Sequence, residues 1–125
     1  MKIITIMPDF GLGPYAWQNG AGCIGDAVCG FRGSEFKVSR ALEQRFADWI
    51  DWFEAYALEP GFCWEPFHRT GMDLARRLKA EIGDQARVVC VKPIEDPALS
   101  YGNYAGAEIL PDGTLAQLTR PPWKD

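Results

Sequence analysis

The sequence predicts an α+β fold: a small mixed β-sheet with two α-helices packed on one face and a long Gly-rich loop after the first strand. Three observations lead there. Residues Ser39 to Leu58 repeat their apolar side chains at helical spacing, residues 66–82 do so again, and two short β-branched runs, Lys2–Met7 and Arg87–Val91, bracket the pair. A chain of 125 residues, 47% of them hydrophobic, is long enough for one domain, and residues 1–125 are read as one.

Lys2 to Met7 is rich in isoleucine and stops at Pro8, which marks a short buried strand with Asp9 just past its carboxyl end. Ligands often sit at such a position in α/β proteins, although a lone aspartate equally serves a turn. From Phe10 to Gly33 come seven glycines together with Tyr15, Trp17 and Phe31. Loops of that length are usually functional or disordered, and the aromatic residues favour a segment pinned to the protein body. Asp26 offers the start of a short helical turn within it. Gly20, Gly22 and Gly25 have the spacing GxGxxG, but a dinucleotide fingerprint follows its strand directly and is succeeded by a second strand. Neither condition holds here, so no nucleotide cofactor is expected.

Ser39 suits the N-cap of the first helix, whose Leu42, Phe46, Trp49, Ile50, Phe53 and Ala57 share one arc. Each large member is worth about 1.5–3 kcal/mol on burial, which makes this the core helix. Asp48, Asp51 and Glu54 point away from the arc, and Trp52 and Tyr56 flank it. Pro60-Gly61 ends the helix. The second helix starts at Pro66, or at Thr70 through a capping box with Asp73, and ends near Ile82 with Gly83 as its cap. Its outer face carries Arg69, Arg76, Arg77 and Lys79. Arg87 to Val91 forms a strand parallel to the first, with the helices as crossover. Ile94 to Pro97 reads as a connector, and Pro-Asp-Gly between residues 107–110 and 114–118 reads as a hairpin. The Pro121-Pro122 tail reads as extended, with Trp123 either docked on the surface or loose.

The net charge of −4 disfavours nucleic acid and anionic membrane, and leaves a basic protein partner electrostatically reasonable. The apolar run at the N-terminus is too short for a signal peptide or a membrane span, so a cytoplasmic location is expected. Cys23, Cys29, Cys63 and Cys90 contain no CxxC pair, so no metal is expected and free thiols are, with Cys90 buried inside the run VVCV. His68 is the one histidine and thus the one imidazole that could serve Cys23, Cys29 or Cys63 in nucleophilic chemistry. A surface histidine at a helix start is the plainer reading, and Glu95 and Asp96 read as hydrated acids of a turn.

The stretches Ile6-Met7-Pro8-Asp9-Phe10-Gly11, Pro14-Tyr15-Ala16-Trp17 and Lys92-Pro93-Ile94-Glu95-Asp96-Pro97, together with the Phe46/Trp49/Phe53 helix, resemble small bacterial immunity proteins of polymorphic-toxin systems. The resemblance implies a cytoplasmic, non-enzymatic protein that binds and neutralises a cognate toxin. Joined to the charge pattern, it singles out Trp17, Asp48, Asp51, Trp52 and Glu54 as partner-binding residues. The alternative is a small enzyme or ligand-binding domain that uses the Gly-rich loop with Asp9, His68 or a cysteine.

Overall fold

The computed structural model describes residues 2–9, 15–18, 22–23, 31, 33–93, 95–99 and 104–124. In chain order the elements are β1 (Ile3–Ile6), β2 (Ala16–Gln18), β3 (Gly22–Cys23), α1 (Arg40–Tyr56), α2 (Trp64–Ile82), a 3-10 turn (Gly83–Gln85), β4 (Arg87–Val91), β5 (Gly106–Ile109), β6 (Leu115–Leu118) and a second 3-10 turn (Pro122–Lys124). The strands form one mixed sheet in the order β3-β2-β1-β4-β5-β6.

The β1/β4 pair is parallel, with Ile4 opposite Val88 and Ile6 opposite Cys90. Every other neighbouring pair is antiparallel. The sheet is therefore two three-stranded meanders that meet along one parallel seam. A hairpin cannot join parallel neighbours, and α1 with α2 supplies the crossover that the seam requires. Part of the segment expected to be a long loop is instead strand, because β2 and β3 lie within it. The short strands escape a periodicity search, since two or three residues between glycines carry no pattern. The expected turn at Asp26 and the Gly20/Gly25 spacing lie outside the described residues.

Strand pleating sorts the core into two layers. Ile4, Ile6, Val88, Cys90 and Ile109 face the helices, where Leu42, Phe46, Trp49, Ile50, Phe53, Phe67, Leu74, Leu78 and Ile82 are all buried. Both helices lie on this face. Ile3, Val89 and Val91 face the other way, beneath Met7, Tyr104, Leu118 and Trp123. The tail is not extended: Pro122 opens a 3-10 turn that sets Trp123 against this second layer. Arg87 and Glu108 pair on the same side through two hydrogen bonds, of 2.9 and 2.6 Å.

Ser39 caps α1 as expected, its hydroxyl accepting from the Leu42 amide at 3.2 Å. Glu81, near the far end of α2, accepts from both the Ser39 amide and hydroxyl at 2.7 Å. One residue thus fixes the start of α1 and its position against α2. The second helix begins two residues ahead of Pro66, whose missing N–H falls in the first turn, where amides have no helical acceptor. The Thr70 capping box does not form; Thr70 Oγ1 instead donates to the Pro66 carbonyl at 2.9 Å.

Trp49 joins the two helices. Its ring stacks on Phe67 (4.8 Å, 14°), meets Phe46 edge-on, and its indole N–H donates to the Phe67 carbonyl at 3.0 Å. The indole crosses α2 at Gly71, where a Cβ would stand 2.4 Å from Trp49 Cζ2. Phe46 in turn stacks on Tyr15 (4.7 Å, 15°), which anchors the residue before β2 to α1. The hairpin of β5 and β6 closes where it was expected, with Gly113 at φ 86°.

Candidate functional sites

Five residues carry the expected partner surface, and the fold puts four of them on α1. Asp48, Asp51 and Glu54 are exposed along its outer side, as the apolar arc requires. Gln44 donates to Asp48 at 2.9 Å, and no ion pair within the described residues involves any of the three acids. The basic residues of α2 are matched differently: Arg69 pairs with Glu65 and Arg76 with Asp73, both within their own helix rather than across to α1. Among the described residues, no cation is within ion-pair distance of Asp48, Asp51 or Glu54.

Trp52 is half-buried, tilted on Phe62 (5.6 Å) and edge-on to Phe67 (5.2 Å). Its ring borders a groove of about 250 Å³ between the helices, lined by Arg45, Asp48, Trp49, Trp52, Thr70 and Leu74. Past it, Tyr56 and Leu58 are 54% and 74% exposed, the only large hydrophobic side chains so placed among the described residues. Trp17 does not join this surface. It lies opposite Thr5, on the sheet face away from the helices, and its indole N–H donates to the Met7 carbonyl at 2.9 Å.

A second constellation lies past the carboxyl end of β4, between α2 and the connector that follows the strand. Here the expectation of a surface histidine and of a hydrated Asp96 fails. His68, in the second turn of α2, reaches Asp96 of the β4–β5 connector with Nε2 to Oδ2 at 2.6 Å. Asp96 is 5% exposed. Its other oxygen accepts from the Ala98 amide at 2.9 Å, which closes the connector on itself. Trp64 stacks on the imidazole at 5.6 Å and 28°.

The electrostatics fix the protonation state of the pair. Burial lowers the His68 pKa, and the Asp96 hydrogen bond only partly opposes it. Burial raises that of Asp96, but the hydrogen bonds from His68 and the Ala98 amide outweigh this and leave it below the ordinary carboxylate value. Near neutral pH the pair is therefore neutral imidazole donating Nε2–H to a carboxylate.

Among the described residues, no hydrogen bond joins a cysteine to His68. Cys63 is exposed at the N-cap of α2. Cys23 contributes backbone to β3, and Cys29 lies outside the described residues. Cys90 is buried as expected; its thiol, pushed up to about 12 by burial, lines a cavity with His68. Asp9 is exposed beyond β1. Among the described residues, no group of three or more His, Cys, Asp or Glu is placed to hold a metal ion, and no helix is long and apolar enough to cross a membrane.

Asp96 and Lys92 are the site residues that sequence reasoning passed over. The signals were weak: a lysine directly after an apolar strand, and an aspartate before Pro97 two residues short of the amide it accepts from. Comparison with protein-family models, curated proteins and solved structures finds no match.

Proposed function

We propose that this chain is an immunity-type binding protein that neutralises a cognate bacterial toxin, with the outer side of α1 as its contact surface. The observation that carries the reading is the row Asp48, Asp51 and Glu54, exposed and without a cationic partner among the described residues, beside the exposed Tyr56 and Leu58 and the half-buried Trp52. Uncompensated acids steer a basic protein to the surface, and apolar anchors slow its departure. The resemblance carried by MPDFG, PYAW and KPIEDP supplies the identity of the partner as a toxin and the cytoplasm as the place of action. A partner seated on the groove side of α1 meets Asp48 and Trp52, with Asp51 next around the helix and Glu54 on the far flank; it reaches Trp17 only by wrapping around the sheet.

The test is co-expression with the product of the adjacent gene, followed by binding kinetics at low and high salt. Protection from that protein's toxicity is the expected result. Asp48→Lys with Asp51→Lys slows association and flattens its salt dependence, whereas Trp52→Ala speeds dissociation by about 2 kcal/mol or more. Failure to protect, or an association rate indifferent to salt and to the double substitution, overturns the reading.

A further inference from the structure

Two cavities open beside the His68–Asp96 pair and share His68 and Lys92. The inner one, about 130 Å³, runs beneath the imidazole to Trp49, Met72, Cys90 and Gln117. The outer one, about 380 Å³, is walled by Trp64, Asp96, Pro97 and Ala98. Both lie just past the carboxyl end of β4, and the inner one is bordered by residues of β4, β5 and β6, on the antiparallel side of the sheet.

The polar groups facing this space divide into spent and available ones. Asp96 is spent, with one oxygen on His68 and the other on the Ala98 amide. His68 Nε2 is spent on Asp96, while no hydrogen bond within the described residues reaches Nδ1. With Nε2 carrying the proton, Nδ1 offers a lone pair and thus seeks a donor. Lys92 is exposed and in no ion pair among the described residues, but lies close enough for its charge to act on Asp96 and His68; its backbone amide bonds Ala105. Glu65, at the rim of the outer cavity, is paired with Arg69 at 3.1 Å, and Gln117 borders the inner one. The flat walls are the Trp64 ring, the imidazole face it stacks on, and Pro97.

We propose that this cleft is a binding site for a small planar organic anion that carries an O–H or N–H donor. Its anionic group meets the Lys92 ammonium, its donor meets His68 Nδ1, and its flat body lies against Trp64 and Pro97. Asp96 acts as a positioning residue: it holds the imidazole in the tautomer that leaves Nδ1 as acceptor. None of Asp48, Asp51 and Glu54 borders the cleft, although Trp49 lines both its inner cavity and the groove beside α1.

The single histidine makes the test direct, since its ring protons give one set of NMR signals. The 125-residue chain is titrated with 4-hydroxybenzoate, with benzoate lacking the donor and with 4-hydroxybenzamide lacking the charge. A saturable shift of the His68 ring signals with 4-hydroxybenzoate is expected, and both analogues bind more weakly. Lys92→Ala, an exposed change that leaves the melt unaltered, weakens 4-hydroxybenzoate about 10-fold, the loss of one charge-assisted hydrogen bond. No shift up to the solubility limit, a shift equal for all three compounds, or an undiminished shift in Lys92→Ala overturns the proposal.

Discussion

Gly71→Ala is the substitution whose outcome the structure forces against local propensity. Glycine in a helix interior costs about 1 kcal/mol relative to alanine, so α2 alone would gain about that much. The new Cβ, however, would stand 2.4 Å from Trp49 Cζ2 and about 3 Å from two further indole carbons (Cε2 3.0 Å, Cη2 3.1 Å). The ring cannot simply slide away. It is stacked on Phe67, held edge-on by Phe46 and hydrogen-bonded to the Phe67 carbonyl. Overpacking of this kind costs about 1–3 kcal/mol, and loss of the indole hydrogen bond adds about 1. Net of the propensity gain, Gly71→Ala should destabilise the chain by about 1–3 kcal/mol. Urea unfolding followed by far-ultraviolet circular dichroism reads this as a lower midpoint at unchanged slope. In a Trp49→Phe background the ring atoms that clash are gone, and the same Gly71→Ala change should become neutral or stabilising. A stabilising effect in the parent, or an equal loss in both backgrounds, refutes the reasoning.

Two further outcomes follow from the polar contacts. His68 has a folded-state pKa below its ordinary value of 6.5, so the unfolded chain binds more protons just below that pH; stability should be level above it and fall as pH drops through the folded pKa. The lowered Asp96 acts in the same sense at lower pH, its contribution present above 3.8 and lost as pH falls through its folded value. Denaturation of the chain and of His68→Gln at successive pH values checks this, because the step just below 6.5 should vanish in the variant; its persistence would place the titration elsewhere. Ser39→Ala should cost about 1–2 kcal/mol, since it removes the α1 cap and one of the two bonds to Glu81. A double-mutant cycle with Glu81→Ala should show the two losses to be non-additive, and additive losses would mean that the bridge between the helices contributes nothing.

The helices and the seam strands were legible because burial on one side writes a period into the sequence. Leu42, Phe46, Trp49, Ile50 and Phe53 repeat at helical spacing and are the residues that α1 buries. The run VVCV is apolar throughout because β4 is covered on both faces. β2 and β3 are too short to carry a period, and Trp64 starts α2 ahead of Pro66 without a side-chain cap to announce it. The candidate sites divide in the same way. The exposed acids of α1 follow from the arc that excludes them. The His68–Asp96 pair does not, because it depends on a connector folding back across α2, a contact between residues 28 apart that no local pattern records. Trp17 looked like an anchor beside the acids and is turned to the other sheet face by strand alternation.

The parallel seam has a kinetic side. Each meander assembles from neighbouring stretches of chain, but the seam closes only when Ile4 finds Val88, across both helices. Loop closure over that distance is the slow event, and it delays the registry of the whole sheet. Until it happens, IITI and VVCV are each an open apolar edge, and an edge is satisfied as well by the same strand of a second molecule as by its own partner. Refolding is therefore a competition between an intramolecular closure whose rate ignores concentration and an intermolecular exchange whose rate rises with it. Crowded chains would trade first meanders and emerge as swapped dimers that retain every contact of the monomer except those of the hinge.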